Sequence, residues 1–501
     1  MADLNALYTV LAILVAAYAV KWWLDPLRSI PTVGGSSLPV LSYLPALKWF
    51  RHGKELVQEG YEKYYGSVFK ISMIDQWLVI ITGPKLIDDL RKRPMEEASF
   101  LEAAADFVQT KYTLGHDVHD DPYHVDIIRE KLTRTLPAIL PDVIDELTIA
   151  IPDHIPAKDG EWVSVNAMEK TREIIARASN RVFVGLPACR NQQYLDLAVN
   201  FTKSVIKDRA IINLFPAWFK PVVGYLLSNT TTNVRRAAKL LKPIIDERRR
   251  CMKEYGDDWS DKPNDMLQWV MEEAIARNKG SDELIVQRIL LVNFAAIHTS
   301  SNSITHAIYH LADHPEYIQP LRDEIEPIIK EEGWTKTAMG KMWKLDSFLK
   351  ESQRFNGINI ISVMRKGEKD ITLSNGTFIP RGTLIAAAAL PMHRDNEVYE
   401  NADVFNPFRF SRMREAEGEG TKHQFVNTSV EYVAFGHGKH ACPGRFFAAN
   451  ELKAMFAYMI VNYDMKLPEG QGRPENVYWG ATVVPNPTTE VLFRKRQANA
   501  A

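Results

Sequence analysis

The chain has 501 residues, with 61 Lys and Arg set against 62 Asp and Glu, 46% hydrophobic residues and three cysteines. A net charge of −1 argues against a nucleic-acid binder, which needs a broad basic surface. The apolar share, with 26 Gly and 27 Pro, excludes a disordered or low-complexity chain. Cys189, Cys251 and Cys442 are too few for a disulfide framework, which places the body in a reducing compartment. Length alone suggests two or three domains.

Residues 4–20 form a charge-free run between Asp3 and Lys21. Extended to Asp25, with Lys21 snorkelling, the run reaches about 20 residues, the length a bilayer core requires. Trp22 and Trp23 fall where an interfacial aromatic belt belongs, and Lys21 and Arg28 follow the run whereas no Lys or Arg precedes it. The positive-inside rule then puts the rest of the chain in the cytosol. Residues 1–25 therefore read as an uncleaved membrane anchor. The rival is a cleaved signal peptide with Ala17-Tyr18-Ala19 as its cleavage site, but no positive charge precedes the apolar run. Residues 26–40, with Pro26, Pro31, Gly34, Gly35 and Pro39, read as a stiff hinge, leaving 41–501 as the body. The match Asn229-Thr230-Thr231 to a glycosylation site carries no weight on the cytosolic side.

Within the body, residues 67–81 predict a hairpin around Asp75-Gln76. Helical patterns dominate from about Tyr123 to Tyr317, at 142–151, 163–182, 233–253 and 281–311. The last is long and apolar nearly all round at its centre, so it should cross the interior. Residues 214–227, broken by Pro216 and Pro221, are too short to span a bilayer; a buried connector and a loop dipping into the membrane stay equally open. Beyond Glu351, short strands are predicted at 371–373 and 384–388, with turns at Asn375-Gly376 and Arg381-Gly382. A helix follows Cys442, and strands are expected around Val483 and Val491. One mainly α unit with a small β portion fits this order better than separate domains.

The stretch Phe435-Gly436-His437-Gly438-Lys439-His440-Ala441-Cys442-Pro443-Gly444 is the most informative. Glycines flanking a single Cys describe a tight loop, and Pro443 opens the helix that follows. The sulfur then faces a helix N-terminus, whose free N–H groups favour thiolate over thiol. A thiolate there suits a soft metal ligand, and as a haem axial ligand it favours O–O cleavage. A merely buried cysteine remains the plain alternative on the residues alone.

The pattern Phe-x-x-Gly-x-basic-x-Cys-x-Gly, ahead of a C-terminal helix, resembles the cytochrome P450 family of haem-thiolate monooxygenases. The basic position is His440, where many members carry Arg. Glu351-Ser352-Gln353-Arg354 sets Glu and Arg three apart on one helix face, and Pro407-Phe408-Arg409-Phe410 supplies a second Arg. The resemblance makes Glu351, Arg354 and Arg409 the family's buried carboxylate–guanidinium triad. Ala295-Ala296-Ile297-His298-Thr299-Ser300 falls in the long apolar helix where the family places a small residue, an acid and a Thr beside the dioxygen site. Here His298 stands in the acid's place and Thr299 is retained, which makes both candidate catalytic residues, His298 as a proton relay. Their plain alternatives are a hydrogen-bonded spacer and a Thr bonded to its own helix backbone.

The resemblance covers essentially the whole chain and implies the P450 fold behind a transmembrane helix. Cys442 becomes the metal ligand of a haem b, with Phe435 and Gly436 in the loop around it. For the haem propionates it implies Arg129, Arg365 and His440. The aromatic usually found four residues before Arg129 is replaced by Val125, and His124 beside it is the candidate substitute. The substrate pocket is expected at 99–122, near Phe294, and at 357–363 and 479–483. Its apolar, β-branched lining favours a bulky lipophilic substrate, and the region around His298 looks most like fungal microsomal members that oxidise terpenoids in secondary metabolism. No Walker or dinucleotide fingerprint is present. NADPH therefore acts indirectly, through a membrane-bound NADPH–cytochrome reductase, with cytochrome b5 an additional electron donor. The implied setting is a single-pass endoplasmic-reticulum protein with its catalytic domain in the cytosol. Two other readings stay open at this level: a haem-thiolate isomerase or dehydratase without reductase, and a non-enzymatic membrane haem sensor or lipid carrier.

Overall fold

The structure is a computed structural model and describes residues 2–38, 41–74, 76–256 and 258–497. Its organising element is the helix Asp282–Asp313, 32 residues long, or roughly 48 Å at 1.5 Å per residue. Ser281 caps it by accepting from Leu284 N–H, Asp282 and Glu283 occupy its first turn, and it stops before Pro315. Around it pack Ala167–Phe183, Gln192–Ile212, Thr230–Tyr255, Met266–Ala276, Trp343–Asn356 and Arg445–Asn462. Among the described residues it is the one helix long and apolar enough to cross a membrane. Its Ile285, Ile289, Ile297, Ile304 and Ile308 are instead fully enclosed by those neighbours, so it is the core of the helical part.

A second apolar core lies under a six-stranded sheet. The strands run in the order Thr32–Val33, Val68–Ser72, Trp77–Ile81, Leu384–Ala388, Ile361–Gly367, Ala98–Ser99. The expected hairpin forms between Val68–Ser72 and Trp77–Ile81; Asp75 in its turn lies outside the described residues. Val477–Trp479 and Thr482–Val484 make a separate hairpin.

The expected helix 163–182 begins late. Trp162–Asn166 is a strand paired antiparallel with Glu490–Arg494, and the helix runs over Ala167–Phe183 with Asn166 accepting from Glu169 N–H. Val163 and Val165 suit the extended partner that the C-terminal strand supplies. The expected helix 142–151 is longer, Thr133–His154, with Pro137 and Pro141 inside it.

The stretch read as a hinge is built into the body over its first half. Leu27, Ile30 and Val33 are buried, and Thr32–Val33 pairs parallel with Lys70–Ile71. Pro39 lies outside the described residues. Residues Ala2–Trp23 form a helix whose Ile13, Val15, Tyr18, Val20 and Trp23 are exposed; Met1 and the side chains of residues 2–8, 10, 11, 14 and 21 lie outside the description. Residues 214–227 are not a buried connector. Leu214, Trp218, Val222, Tyr225 and Leu226 are exposed, Trp218 by 78% and Tyr225 by 86%, because Lys220–Leu227 is a short helix with only Lys220, Val223 and Gly224 facing inward.

Candidate active site

The cysteine loop is shaped by two glycines. Gly436 and Gly438 stand at φ +69° and +73°, the left-handed region where a side chain is strained. At Gly438 a Cβ would also press to 3.3 Å on Arg91. Gly436 N–H donates to Val433 O at 2.8 Å, and Cys442 N–H donates back to Phe435 O at 2.8 Å, closing the loop. Phe435 sits edge-on to Phe425, centroids 5.4 Å apart. The helix Arg445–Asn462 then starts after Gly444.

Of the three cysteines only Cys442 is exposed. Its thiol is nevertheless pushed up by burial, against the pull of the Gly444 and Arg445 N–H groups and the Arg445 charge. A niche opening on an interior space reconciles exposure with burial. This corrects one expectation: the helix N-terminus does favour the thiolate, but desolvation outweighs it. At Cys189, burial and the Glu146 carboxylate push the thiol up to about 12.

Across the core, Ala295 and Thr299 are exposed in mid-span of the otherwise enclosed central helix. Their exposure shows that this face borders an internal space. The Thr299 hydroxyl donates to Ala295 O at 2.8 Å and Ala296 O at 3.2 Å, so in this state it bonds to its own helix. His298 turns the other way. Its Nε2 lies 3.3 Å from Val199 O on the helix Gln192–Ile212; a carbonyl only accepts, so Nε2 carries the proton. Burial lowers its pKa to about 4. A ring tied to a neighbouring helix has the geometry of the hydrogen-bonded spacer, the plain alternative to a relay.

Beneath the loop, the structure joins Glu351, Arg354 and Arg409. Arg354 grips Glu351 with two bonds, Nε–Oε2 2.8 Å and Nη2–Oε1 2.7 Å, and Arg409 Nε lies 3.2 and 3.3 Å from the two carboxylate oxygens. Asn406 N–H adds a fourth donor at 3.0 Å. The link from this cluster to the cysteine loop is His393, which sequence reasoning missed. Arg354 donates to its carbonyl, while its Nε2 accepts from Val433 N–H at 3.2 Å, one loop-turn from Gly436. No local pattern marks His393; only the fold brings it to both partners.

The expected propionate-binding cations are Arg129, Arg365 and His440. Burial first, and then the charges of Arg365 and Arg129, drive His440 down to about 4, which places all three in one electrostatic neighbourhood. Arg365 is 1% exposed. Its Nη1 donates to its own residue's neighbour, Met364 O, at 2.7 Å, while Nε and Nη2 are buried without a partner. A buried guanidinium with two idle donors is costly unless an anion completes it. A haem carboxylate would supply that acceptor, so these residues fit the group. Val363 helps to aim Arg365: it stands at φ +52° where the strand register shifts between Ser362 and Arg365, a strain of the kind stored at functional sites. Arg129 is half-exposed and paired with Asp126 at 3.1 Å. His124 is buried with Nδ1 unpartnered, and the charges acting on it are those of Arg288 and Asp121.

This fold, with an exposed cysteine in a glycine loop and a carboxylate–guanidinium triad beneath it, is that of a haem-thiolate enzyme. A sequence model of the family Cytochrome P450 matches residues 34–493, and the chain belongs to that family. The chain is 52% identical over 500 residues to cytochrome P450 monooxygenase 151 of Postia placenta, covering 99% of this chain and all of that one. It is 34% identical to the ent-kaurene oxidase of Gibberella intermedia, over 93% of this chain and 88% of that one. The solved structure of retinoic acid-bound cyanobacterial CYP120A1 superposes with TM-score 0.69 at 19% identity, over 93% and 99% of the two chains. The protein is a P450 monooxygenase, an oxidoreductase whose family cofactor is haem iron on a cysteine thiolate.

Proposed function

We propose that this enzyme hydroxylates a bulky lipophilic molecule of the terpenoid class, drawing electrons from an NADPH–cytochrome reductase on the same membrane. The observation that carries the reading is the exposure of Cys442 in its glycine loop, together with that of Ala295 and Thr299 on the otherwise enclosed core helix. The haem, when bound, supplies the activation of dioxygen. Cys442 would hold its iron, Arg365, Arg129 and His440 would hold its carboxylates, and the glycine loop keeps the backbone close without side-chain obstruction. Ala295 leaves space beside the central helix, and Thr299 offers a hydroxyl that has only to leave its own helix carbonyls to donate elsewhere.

Substrate class rests on the apolar, β-branched composition of segments 357–363 and 479–483, in which Ile358 and Thr482 stay partly exposed. The relative named for the terpenoid ent-kaurene supports the same reading. Membrane residence rests on the exposed apolar side chains of Ala2–Trp23, on Leu214, Trp218, Tyr225 and Leu226, and on Leu41, Leu44 and Leu47 near the start of the body. Side chains of this kind gain free energy when a bilayer covers them. The anchor 1–25 and the orientation of residues 41–501 toward the cytosol follow from the charge order around it. Microsomes containing the protein and reductase, fed a terpenoid library under isotopically labelled dioxygen, test the reading. NADPH-dependent product carrying one labelled oxygen is expected; conversion independent of reductase would overturn it.

A further inference from the structure

Arg473 precedes the hairpin Val477–Trp479/Thr482–Val484 and reaches into a buried polar hub. Its Nη2 donates to Asn356 Oδ1 at 2.6 Å, Asn476 Oδ1 at 3.0 Å and His306 Nδ1 at 3.3 Å, and Nη1 donates to Pro474 O at 3.1 Å. Asn476 Nδ2 also donates to Asn356 Oδ1 at 3.0 Å. With its oxygen occupied twice, the Asn356 amide donates to His310 Nε2 at 2.7 Å. A guanidinium has no acceptor, so Nδ1 of His306 is bare and both imidazoles are neutral. Burial, reinforced by the Arg473 charge, keeps them so. His310 is further fixed by stacking on Phe405, 3.8 Å between centroids at 4°.

Among the described residues Arg473 makes no ion pair, and its Nε has no partner. Stability alone does not call for such a group, because an apolar side chain of similar volume serves as well without the desolvation cost. What a guanidinium adds is directional. It locks the end of the helix Trp343–Asn356, the central helix at His306 and the base of the hairpin into one register. The hairpin is joined in turn to the adjoining segment, through Val483 N–H to Ile358 O at 3.0 Å and Ile360 N–H to Ala481 O at 2.8 Å. We propose that Arg473 is a positioning residue for substrate selection, setting from outside the pocket the placement of 479–483 and 358–361 relative to the central helix. The proposal rests on the reading that these two segments line the substrate pocket.

Azole probes read pocket shape without knowledge of the substrate. Spectral titrations of the full-length ferric enzyme with imidazole and with 4-phenylimidazole give two affinities, the first reporting access to the metal and the second also the walls. In Arg473→Ala and in Asn476→Ala, the affinity for 4-phenylimidazole should fall relative to that for imidazole by about tenfold, or ~1.4 kcal/mol. Arg473→Lys should recover part of the loss. Ile358→Ala, at a partly exposed position of the same segments, is the control for the pocket itself. An unchanged ratio in the Arg473 and Asn476 variants, with a shifted ratio in Ile358→Ala, overturns the proposal and leaves the pocket reading standing. An unchanged ratio in all of them overturns both. A merely structural role lowers haem-protein yield or unfolding temperature without moving the ratio, and that result also overturns it. If Arg473→Ala yields no haem protein, Asn476→Ala, on a partly exposed loop, decides alone.

Discussion

Replacing Glu351 by Ala tests how the site is held from below. The Glu351 and Arg354 side chains are 0% exposed and that of Arg409 is 10% exposed, so the substitution strands two guanidinium charges out of water. Removing one partner of a buried pair costs about 3–5 kcal/mol, because the surviving charge stays desolvated. Both arginines keep carbonyl partners, Arg354 on Ala402 and Arg409 on Glu400, Asn401 and Val404, which tempers that figure. The Asn406 amide, however, loses its acceptor at a cost of about 1–3 kcal/mol. A net loss of about 5 kcal/mol is a large share of a domain stability of about 5–15 kcal/mol. Because Arg354 carries His393 and His393 carries Val433, the damage should appear first at the cysteine loop. Denaturant titration followed by the reduced carbonyl band at the haem should therefore show a lower midpoint than the helical signal does. Glu351→Gln, which keeps an acceptor for Asn406, should fall between. Wild-type yield and an unchanged midpoint in Glu351→Ala would refute the reasoning.

Thr299→Ala should raise hydrogen peroxide release per NADPH while haem binding stays intact, whereas His298→Ala should leave that coupling unchanged because its ring faces Val199; peroxide assays alongside NADPH consumption check both. Glu451 is fully enclosed with only Ser179 Oγ as a partner, at 2.7 Å, and burial raises its carboxyl to about 8. The folded state thus holds a proton that the unfolded chain releases above its ordinary range. That contribution is full below about pH 4.5 and is lost as pH rises through about 8, by up to ~1.4 kcal/mol per pH unit. Glu451→Gln should flatten the fall in stability between pH 5 and 8 in denaturation curves, and an undiminished slope would show that other groups cause it. Deleting residues 1–25 should leave a peripheral membrane fraction that Trp218→Ser, Tyr225→Ser and Leu226→Ser together release in vesicle flotation.

What the sequence made legible was local or carried by fixed spacing. The Cys442 loop, the Glu351–Arg354 step and the long apolar helix are each written in a few consecutive turns, and the structure assembles them as read. The strand Trp162–Asn166 was not legible because its partner, Glu490–Arg494, lies more than 300 residues on. His393 was hidden for the same reason. The exposure of 214–227 turned on which residues of a short helix face inward, and composition does not settle that. The direction of His298 depended on a carbonyl of another helix, although the family pattern put it beside Thr299. The thiol of Cys442 shows a competition of magnitudes: the N-terminal N–H groups were visible in the sequence, but the larger burial effect was not.

The most direct test of the account is the spectrum of the reduced carbonyl complex in three Cys→Ser variants. Cys442→Ser should lose the red-shifted Soret band that a thiolate ligand produces, because Cys442 alone opens on the interior space from a glycine loop. Cys189→Ser and Cys251→Ser, both at buried positions away from that loop, should keep it at wild-type position. A red-shifted band surviving in Cys442→Ser, or lost in either of the others, would contradict the assignment on which the whole site is built.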